Sequence, residues 1–141
     1  MNDVNRSLAA ETETLRAAYA ALNRGDVSAM VALFDPQIEY SEPAGFPGAG
    51  TYRGRGELER HVTKMRGQWA EGTCEPERFI MAGDKIVVFA QVHVRFENHT
   101  DWIDGPVTDV YTFRGGTAVH WRTFADREQA LEWAGVNRSA L

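Results

Sequence analysis

The stretch Lys85-Ile86-Val87-Val88-Phe89-Ala90-Gln91-Val92-His93-Val94-Arg95-Phe96-Glu97 reads as one long β-strand whose two faces differ. Side chains alternate across a strand, so Val88, Ala90, Val92, Val94 and Phe96 share a face that is almost wholly apolar. Phe89, Gln91, His93 and Arg95 share the other, a mixture of aromatic and polar groups. Both faces of a strand inside a sheet need cover. The mixed face is expected to look into a ligand pocket, where a few polar groups stand among apolar walls. The smooth face suits either the core or a second subunit.

Outward from this strand the chain divides into helices before it and strands around and after it. Leu8, Leu15, Ala18, Tyr19 and Leu22 recur at helical spacing and predict an amphipathic helix over Ser7–Asn23. Gly25 suits its end and Asp26 can cap a short second helix with Val27, Met30, Val31 and Phe34 on its buried stripe, ended by Asp35-Pro36. Gln37–Glu42 alternates as a first strand, with Ile38, Tyr40 and Glu42 on one side. The Gly- and Pro-rich segment 43–50 is a loop, and its Phe46 is expected to lean over whatever lies beneath. Leu58, Val62, Met65 and Trp69 predict a third helix from about Gly56 to Ala70. Segments 74–81, 107–114 and 118–124 read as further strands, with Gly83-Asp84 and Gly115-Gly116 at hairpin turns. Asp126, with Gln129 three residues on, opens a last helix ending near Gly135. Helices first and strands afterwards argue an α+β class: helices packed on a strongly curved antiparallel sheet, a cone with an internal pocket.

A length of 141 residues suits a single domain over 1–141. With 43% hydrophobic and 25% charged residues, disordered and fibrous classes are set aside. The net charge of -5 and the lack of any Lys/Arg run argue against nucleic-acid binding. The N-terminus has no apolar leader core and no stretch is long enough to span a bilayer, so a cytoplasmic protein without membrane association is expected. The lone Cys74 cannot form an internal disulfide and reads as a small strand residue. The Asn-x-Ser/Thr triplets at Asn5, Asn98 and Asn137 then carry no meaning.

Val107, Asp109, Tyr111 and Phe113 share a strand face, which sets a carboxyl among apolar neighbours. There it needs a partner or keeps its proton; the alternative is an exposed edge aspartate. His93 is either a satisfied packing residue or a catalytic one. His61, His93, His99 and His120 show no metal-ligand spacing, so no metal is expected. Neither a Gly-x-Ser-x-Gly nor a dinucleotide fingerprint occurs, which leaves proton chemistry or simple binding.

Several strings then resemble the nuclear transport factor 2-like superfamily: Tyr19-Ala20-Ala21-Leu22-Asn23-Arg24-Gly25-Asp26, Val31-Ala32-Leu33-Phe34 and Phe113-Arg114-Gly115-Gly116. Glu42-Pro43-Ala44-Gly45-Phe46-Pro47 with Thr51-Tyr52-Arg53-Gly54, and Trp121 followed by Asp126-Arg127-Glu128, are similar to its SnoaL-like branch. The resemblance runs from about Glu13 to Gly135 and is more specific for fold than for activity. Ketosteroid isomerase belongs to this superfamily, and its aspartate base lies just before a proline on the first strand, where Glu42-Pro43 stands here. Its protonated acid matches Asp109, two residues before Tyr111. Its oxyanion tyrosine has Tyr19 one residue away, a helical turn of about 100 degrees. Where the family's cyclases place an acidic base near the last strand, Trp121 and Arg122 occur, so that role is not carried over.

The resemblance thus implies a cofactor-independent enzyme of isomerase, cyclase or dehydratase type acting on a small apolar or polycyclic carbonyl ligand, though not on steroids themselves. Glu42 would be the general base, Asp109 a hydrogen-bond donor to the developing enolate, and His93 an auxiliary polar contact. Tyr19, Phe34, Phe46, Trp69, Phe89, Gln91, Arg95, Tyr111 and Trp121 would line the pocket. A homodimer would form through an outer sheet face bearing Val88, Val92, Val94 and Phe96. The alternative is a non-catalytic ligand-binding or dimerisation domain of the same fold, with its carboxylates solvated or paired, for example with Arg95.

Overall fold

The computed structural model describes residues 2–137 and 139, so Met1 of the leader reading and Arg138 of the Asn137 triplet lie outside it. Two helices come first, α1 (Asn2–Asn23) and α2 (Val27–Ala32), with Gly25 at φ 82 between them and the Asp26 carboxylate accepting from Ala29 N at 3.1 Å. Then follow β1 (Glu39–Glu42), β2 (Gly50–Arg53), α3 (Gly54–Arg66), β3 (Trp69–Ala82), β4 (Lys85–Phe96), β5 (Ile103–Arg114), β6 (Thr117–Phe124) and α4 (Arg127–Ala134). The six strands form one open sheet in the order β2-β1-β6-β5-β4-β3. All neighbours are antiparallel except β1 and β6, which run parallel. The α+β cone expected from the sequence is therefore the observed class, with one parallel pair in the sheet.

The sheet is covered unequally on its two sides. On one side lies the main core, where Leu15, Tyr19, Met30, Phe34, Leu58 and Val62 of α1–α3 and the α2–β1 turn meet Ile86, Val88, Tyr111 and Trp121 of the sheet. On the other, α4 covers only a patch built on Val87, Phe89, Val110, Phe124, Ala130 and Leu131. This unequal cover reverses the reading of β4. Val88 stands directly opposite Asp109, so the smooth face of Val88, Ala90, Val92, Val94 and Phe96 is the inner one. Ile86 to Ala90 are all buried because helices cover both sides there; past the reach of α4 the outward positions Gln91, His93 and Arg95 turn polar. Polar groups mark where the outer face meets water, not where the inner face meets a ligand. The surface expected to join two subunits, Val88, Val92, Val94 and Phe96, accordingly lies inside the cone.

Other departures are local. The third helix stops at Arg66, where Gly67 ends it, and Trp69 instead opens β3 opposite Phe96. Ladder pairing wins there over helical spacing. Strand β2 begins with Gly50 at φ 139 and pairs with β1 across the Gly/Pro loop, a pairing that its composition does not suggest. Pro76 is tolerated because β3 is an edge strand and the ladder shifts register between Pro76 and Arg78. Among the described residues no helix is long and apolar enough to cross a membrane.

Gly72 has φ 119, and a Cβ there would lie 2.1 Å from the His93 carbonyl oxygen and 2.5 Å from Val94 Cα. Both atoms are backbone, so neither can turn aside. Gly72→Ala is expected to lower stability by about 2–4 kcal/mol in urea unfolding. Gly105→Ala, with open space and no positive φ, should leave the midpoint almost unchanged.

Candidate active site

The cavity between the helices and the inner sheet face has a volume of about 370 Å³. Its walls come from α1 (Tyr19), α3 (His61, Met65), β3 (Trp69, Cys74), β4 (Val92, Val94, Phe96), β5 (Val107, Asp109) and β6 (Trp121, Thr123). Tyr40 and Glu42 of β1, with Phe46 from the following loop, close it on another side.

Asp109 is placed by register. It faces Val88 on one neighbour and Thr123 on the other, while α1 lays Tyr19 across it. Tyr19 Oη donates to Oδ2 at 2.5 Å and Thr123 Oγ1 approaches Oδ1 at 2.7 Å. Behind Tyr19, Tyr111 Oη donates to Tyr19 Oη at 3.0 Å. Only 3% of Asp109 is exposed. Desolvation raises its pKa above the ordinary carboxylate value, against the lowering pull of Tyr19, Thr123 and Trp121, and the nearby Glu42 adds to the rise. The same burial and the Asp109 charge push the Tyr19 and Tyr111 phenols well up, so both stay protonated donors. Burial also takes the Cys74 thiol to about 12, which makes it an inert wall residue.

Glu42 is held differently. Its side chain is 10% exposed, and three donors converge on it. Tyr40 Oη lies 2.9 Å from Oε1, Gly48 N donates to Oε2 at 2.9 Å, and His61 Nε2 lies 3.1 Å from Oε1. His61 is itself stacked on Tyr52, with ring centroids 3.9 Å apart. Tyr40 Oη also meets Thr123 Oγ1 at 3.0 Å, so hydroxyls link the surroundings of the two carboxyls. The Trp121 indole Nε1 is buried without a hydrogen-bond partner; the ring lies against Tyr40 with centroids 4.1 Å apart, and its nearness pulls the Asp109 pKa down.

Glu42, Asp109, Tyr19, Phe46, Trp69 and Trp121 thus come together around the cavity. Phe34 and Tyr111 stand one layer back, Phe34 packed on Tyr111 and Trp121 at 6.1 and 6.0 Å. Four expected members lie on the opposite side of the sheet. His93 is half-exposed, bonded to Asp104 and stacked on Trp102, so it has no place as an auxiliary catalytic contact. Phe89 sits in the patch under α4 with the Arg127 guanidinium 3.9 Å from its ring centre. Arg95 pairs with Glu71 at 2.9 Å rather than with either cavity carboxyl, and Gln91 lies between Glu75 and Pro106 on the outward side. The sequence reading missed His61, Tyr40 and Thr123. Tyr40 and Thr123 were within reach, since each lies two strand positions from a named site residue, Glu42 and Trp121, and so shares its face. His61 lies one turn before Met65 on α3, a weaker signal. Among the described residues no three His, Cys, Asp or Glu side chains gather as a metal site.

The fold is an α+β cone with a cavity of about 370 Å³ between its helices and the inner sheet face. Residues 15–121 match the SnoaL-like domain family, and the chain belongs to it, within the NTF2-like superfamily. Among solved structures, an NTF2-like protein from Burkholderia thailandensis is 30% identical with a TM-score of 0.71, over 89% of this chain and 96% of that one. An NTF2-like protein of unknown function from Burkholderia pseudomallei is 25% identical with a TM-score of 0.73, over 86% and 94%. TerC, co-crystallised with polyporic acid, shares the fold at 22% identity and a TM-score of 0.72, over 88% and 97%. No curated protein matches the sequence.

A carboxyl whose folded pKa is raised binds its proton more tightly folded than unfolded, so its contribution to stability falls as pH rises. That fall starts near the unfolded aspartate value of about 3.9 and continues up to the folded pKa. Asp109→Asn removes it. The melting temperature of the variant relative to the native protein is expected to climb across that window, read by thermal scans at stepped pH.

Proposed function

We propose that the whole chain, residues 1–141, is one domain that catalyses proton transfer on a small apolar or polycyclic ligand carrying a carbonyl group. One observation carries this reading: two carboxyls in unlike environments face the same largely apolar cavity. Asp109 is almost wholly desolvated and biased towards its neutral form, while Glu42 is held by hydrogen bonds with Tyr40, Gly48 N and His61. Glu42 is the general base that takes a proton from the carbon beside the carbonyl. The carbonyl oxygen lies against the unpartnered Trp121 N–H, with Asp109 beside it as the acid for the charge that develops. His61 takes the auxiliary role expected of His93, steadying Glu42 from α3.

Family membership supports an isomerase- or cyclase-type activity, and TerC illustrates that the fold accommodates a bound organic molecule. A second reading, a pocket that binds without turnover, is favoured by one feature: Glu42 already has three donors, as a structural carboxylate would. Homodimer contact, on either reading, moves to the outward side of the sheet near His93 and the exposed Trp102.

The probe is a panel of enolisable polycyclic ketones, followed by deuterium uptake at the α-carbon in D2O. Glu42→Gln is expected to slow uptake by about a hundred- to ten-thousand-fold, with ligand affinity changed only a few-fold by calorimetry. Unaltered uptake in that variant refutes the assignment of the base. Tight binding with no uptake by the native protein selects the second reading.

A further inference from the structure

Five contacts join the two carboxyls and four hydroxyls in one line. Tyr111 Oη meets Tyr19 Oη, Tyr19 Oη meets Asp109 Oδ2, Thr123 Oγ1 meets Asp109 Oδ1, Tyr40 Oη meets Thr123 Oγ1, and Tyr40 Oη meets Glu42 Oε1. Each hydroxyl owns a single proton. With both carboxyls ionised, the four hydroxyl protons must serve all five contacts, and one contact is left with no hydrogen. If Tyr40 donates to Glu42 and Thr123 to Asp109, the Tyr40 and Thr123 oxygens face each other at 3.0 Å, lone pair to lone pair. If Thr123 donates to Tyr40 instead, its oxygen lies bare at 2.7 Å from Asp109 Oδ1. One further proton, on either carboxyl, completes every bond.

We infer that Tyr40 and Thr123 form a proton conduit between Glu42 and Asp109, through which the two carboxyl groups hold one proton in common. Two arrangements satisfy the line equally well. In one, Asp109 O–H donates to Thr123, Thr123 to Tyr40, and Tyr40 to Glu42. In the other, Glu42 O–H donates to Tyr40, Tyr40 to Thr123, and Thr123 to Asp109. They interconvert by moving three protons, each across one short contact. Asp109 lies in the drier place, and its neutral form is favoured by desolvation, so the first arrangement is the resting one. It leaves Glu42 charged on the cavity side and ready to accept a proton.

The conduit also closes a catalytic cycle, a use that rests on the proposed function. The C–H bond breaks, its electron pair moves towards the carbonyl, and Glu42 takes the proton. Asp109 gives its own proton to the carbonyl oxygen, and an enol results. Glu42 then passes a proton to Tyr40, Tyr40 to Thr123, and Thr123 to Asp109, so both carboxyls return to their starting states. Nothing is oxidised or reduced. Tyr40 and Thr123 are positioning residues here, acting through the carboxyls at the two ends.

The shared proton belongs to the ligand-free protein, so its test needs no substrate. Carboxyl-13C Asp and Glu labels are followed by NMR across pH in the native protein. Other titratable groups facing the pair are His61 and Lys64 from α3, Tyr19 from α1, Tyr52 from β2, Cys74 from β3 and Tyr111 from β5. None of them bonds to both carboxyls. Common possession of a proton makes the Glu42 and Asp109 signals each move at two inflections, and both signals share them. Thr123→Val removes no hydrogen bond made by Glu42 itself, yet it should bring the two inflections about one pH unit closer, the worth of one lost hydrogen bond. Tyr40→Phe should do the same, and Thr123→Ser should restore the native separation. Single, independent inflections in the native protein overturn the conduit whatever the variants do. A separation that survives both Thr123→Val and Tyr40→Phe also overturns it, because through-space repulsion between the charges then suffices. Either failure leaves the reading of Glu42 as base standing, since that is decided by deuterium uptake.

Discussion

The burial of one carboxyl governs this molecule. Asp109 lies in the middle of the sheet with its side chain beneath α1, where an unpartnered charge would be very costly. It is tolerated because Tyr19 and Thr123 reach its two oxygens from different elements. The pair therefore ties α1 to the sheet interior and fixes which faces of β5 and β6 turn inward. A buried polar group left unpaired costs roughly 1–3 kcal/mol, so any packing that pulled Tyr19 away would be selected against by that amount. The cavity exists where these constraints hold the helices off the sheet.

Around that anchor the register does the rest. Tyr111 sits opposite Trp121, Asp109 opposite Thr123, and Tyr40 beside Trp121 through the parallel β1–β6 pair. Aromatic rings consequently stack as a continuous wall, with Phe34 and Tyr111 behind and Tyr40 and Trp121 in front. Near Asp109 this apolar lining is broken by a row of hydroxyls and one indole N–H. Such a wall excludes water and leaves the few polar groups at full strength. Glu42 enters from the short first strand and is steadied by the neighbouring loop and α3, so the two carboxyls rest on different pieces of the fold.

Much of the architecture was legible because local physics and global packing agree. Asp26 and Asp126 cap helices where the chain places them, and Gly115-Gly116, both at positive φ, turn the last hairpin. That Asp109 and Tyr111 share a face followed from alternation, while the sequence left open whether that face turns inward, as it does. The faces of β4 were read in reverse because alternation says only that two faces differ. A polar face can look into a pocket or out to solvent, and α4 covers the outer face only as far as Phe89. Trp69 illustrates a related ambiguity: its helical spacing from Met65 was genuine, but Gly67 ends the helix and the ladder to Phe96 claims it.

By itself the amino-acid order determined the element types other than β2, most of their limits, and the carboxyls worth watching. These depend on neighbours a few positions apart, and backbone geometry makes such neighbours act alike in any context. Only the tertiary structure decided that His61 rather than His93 stands beside Glu42, and that Tyr40 and Thr123 bridge the two acids. The His61–Glu42 and Tyr40–Thr123 contacts join residues 19 and 83 positions apart in the chain, and their existence rests on strand register and on which face a helix happens to cover, neither of which local pattern encodes.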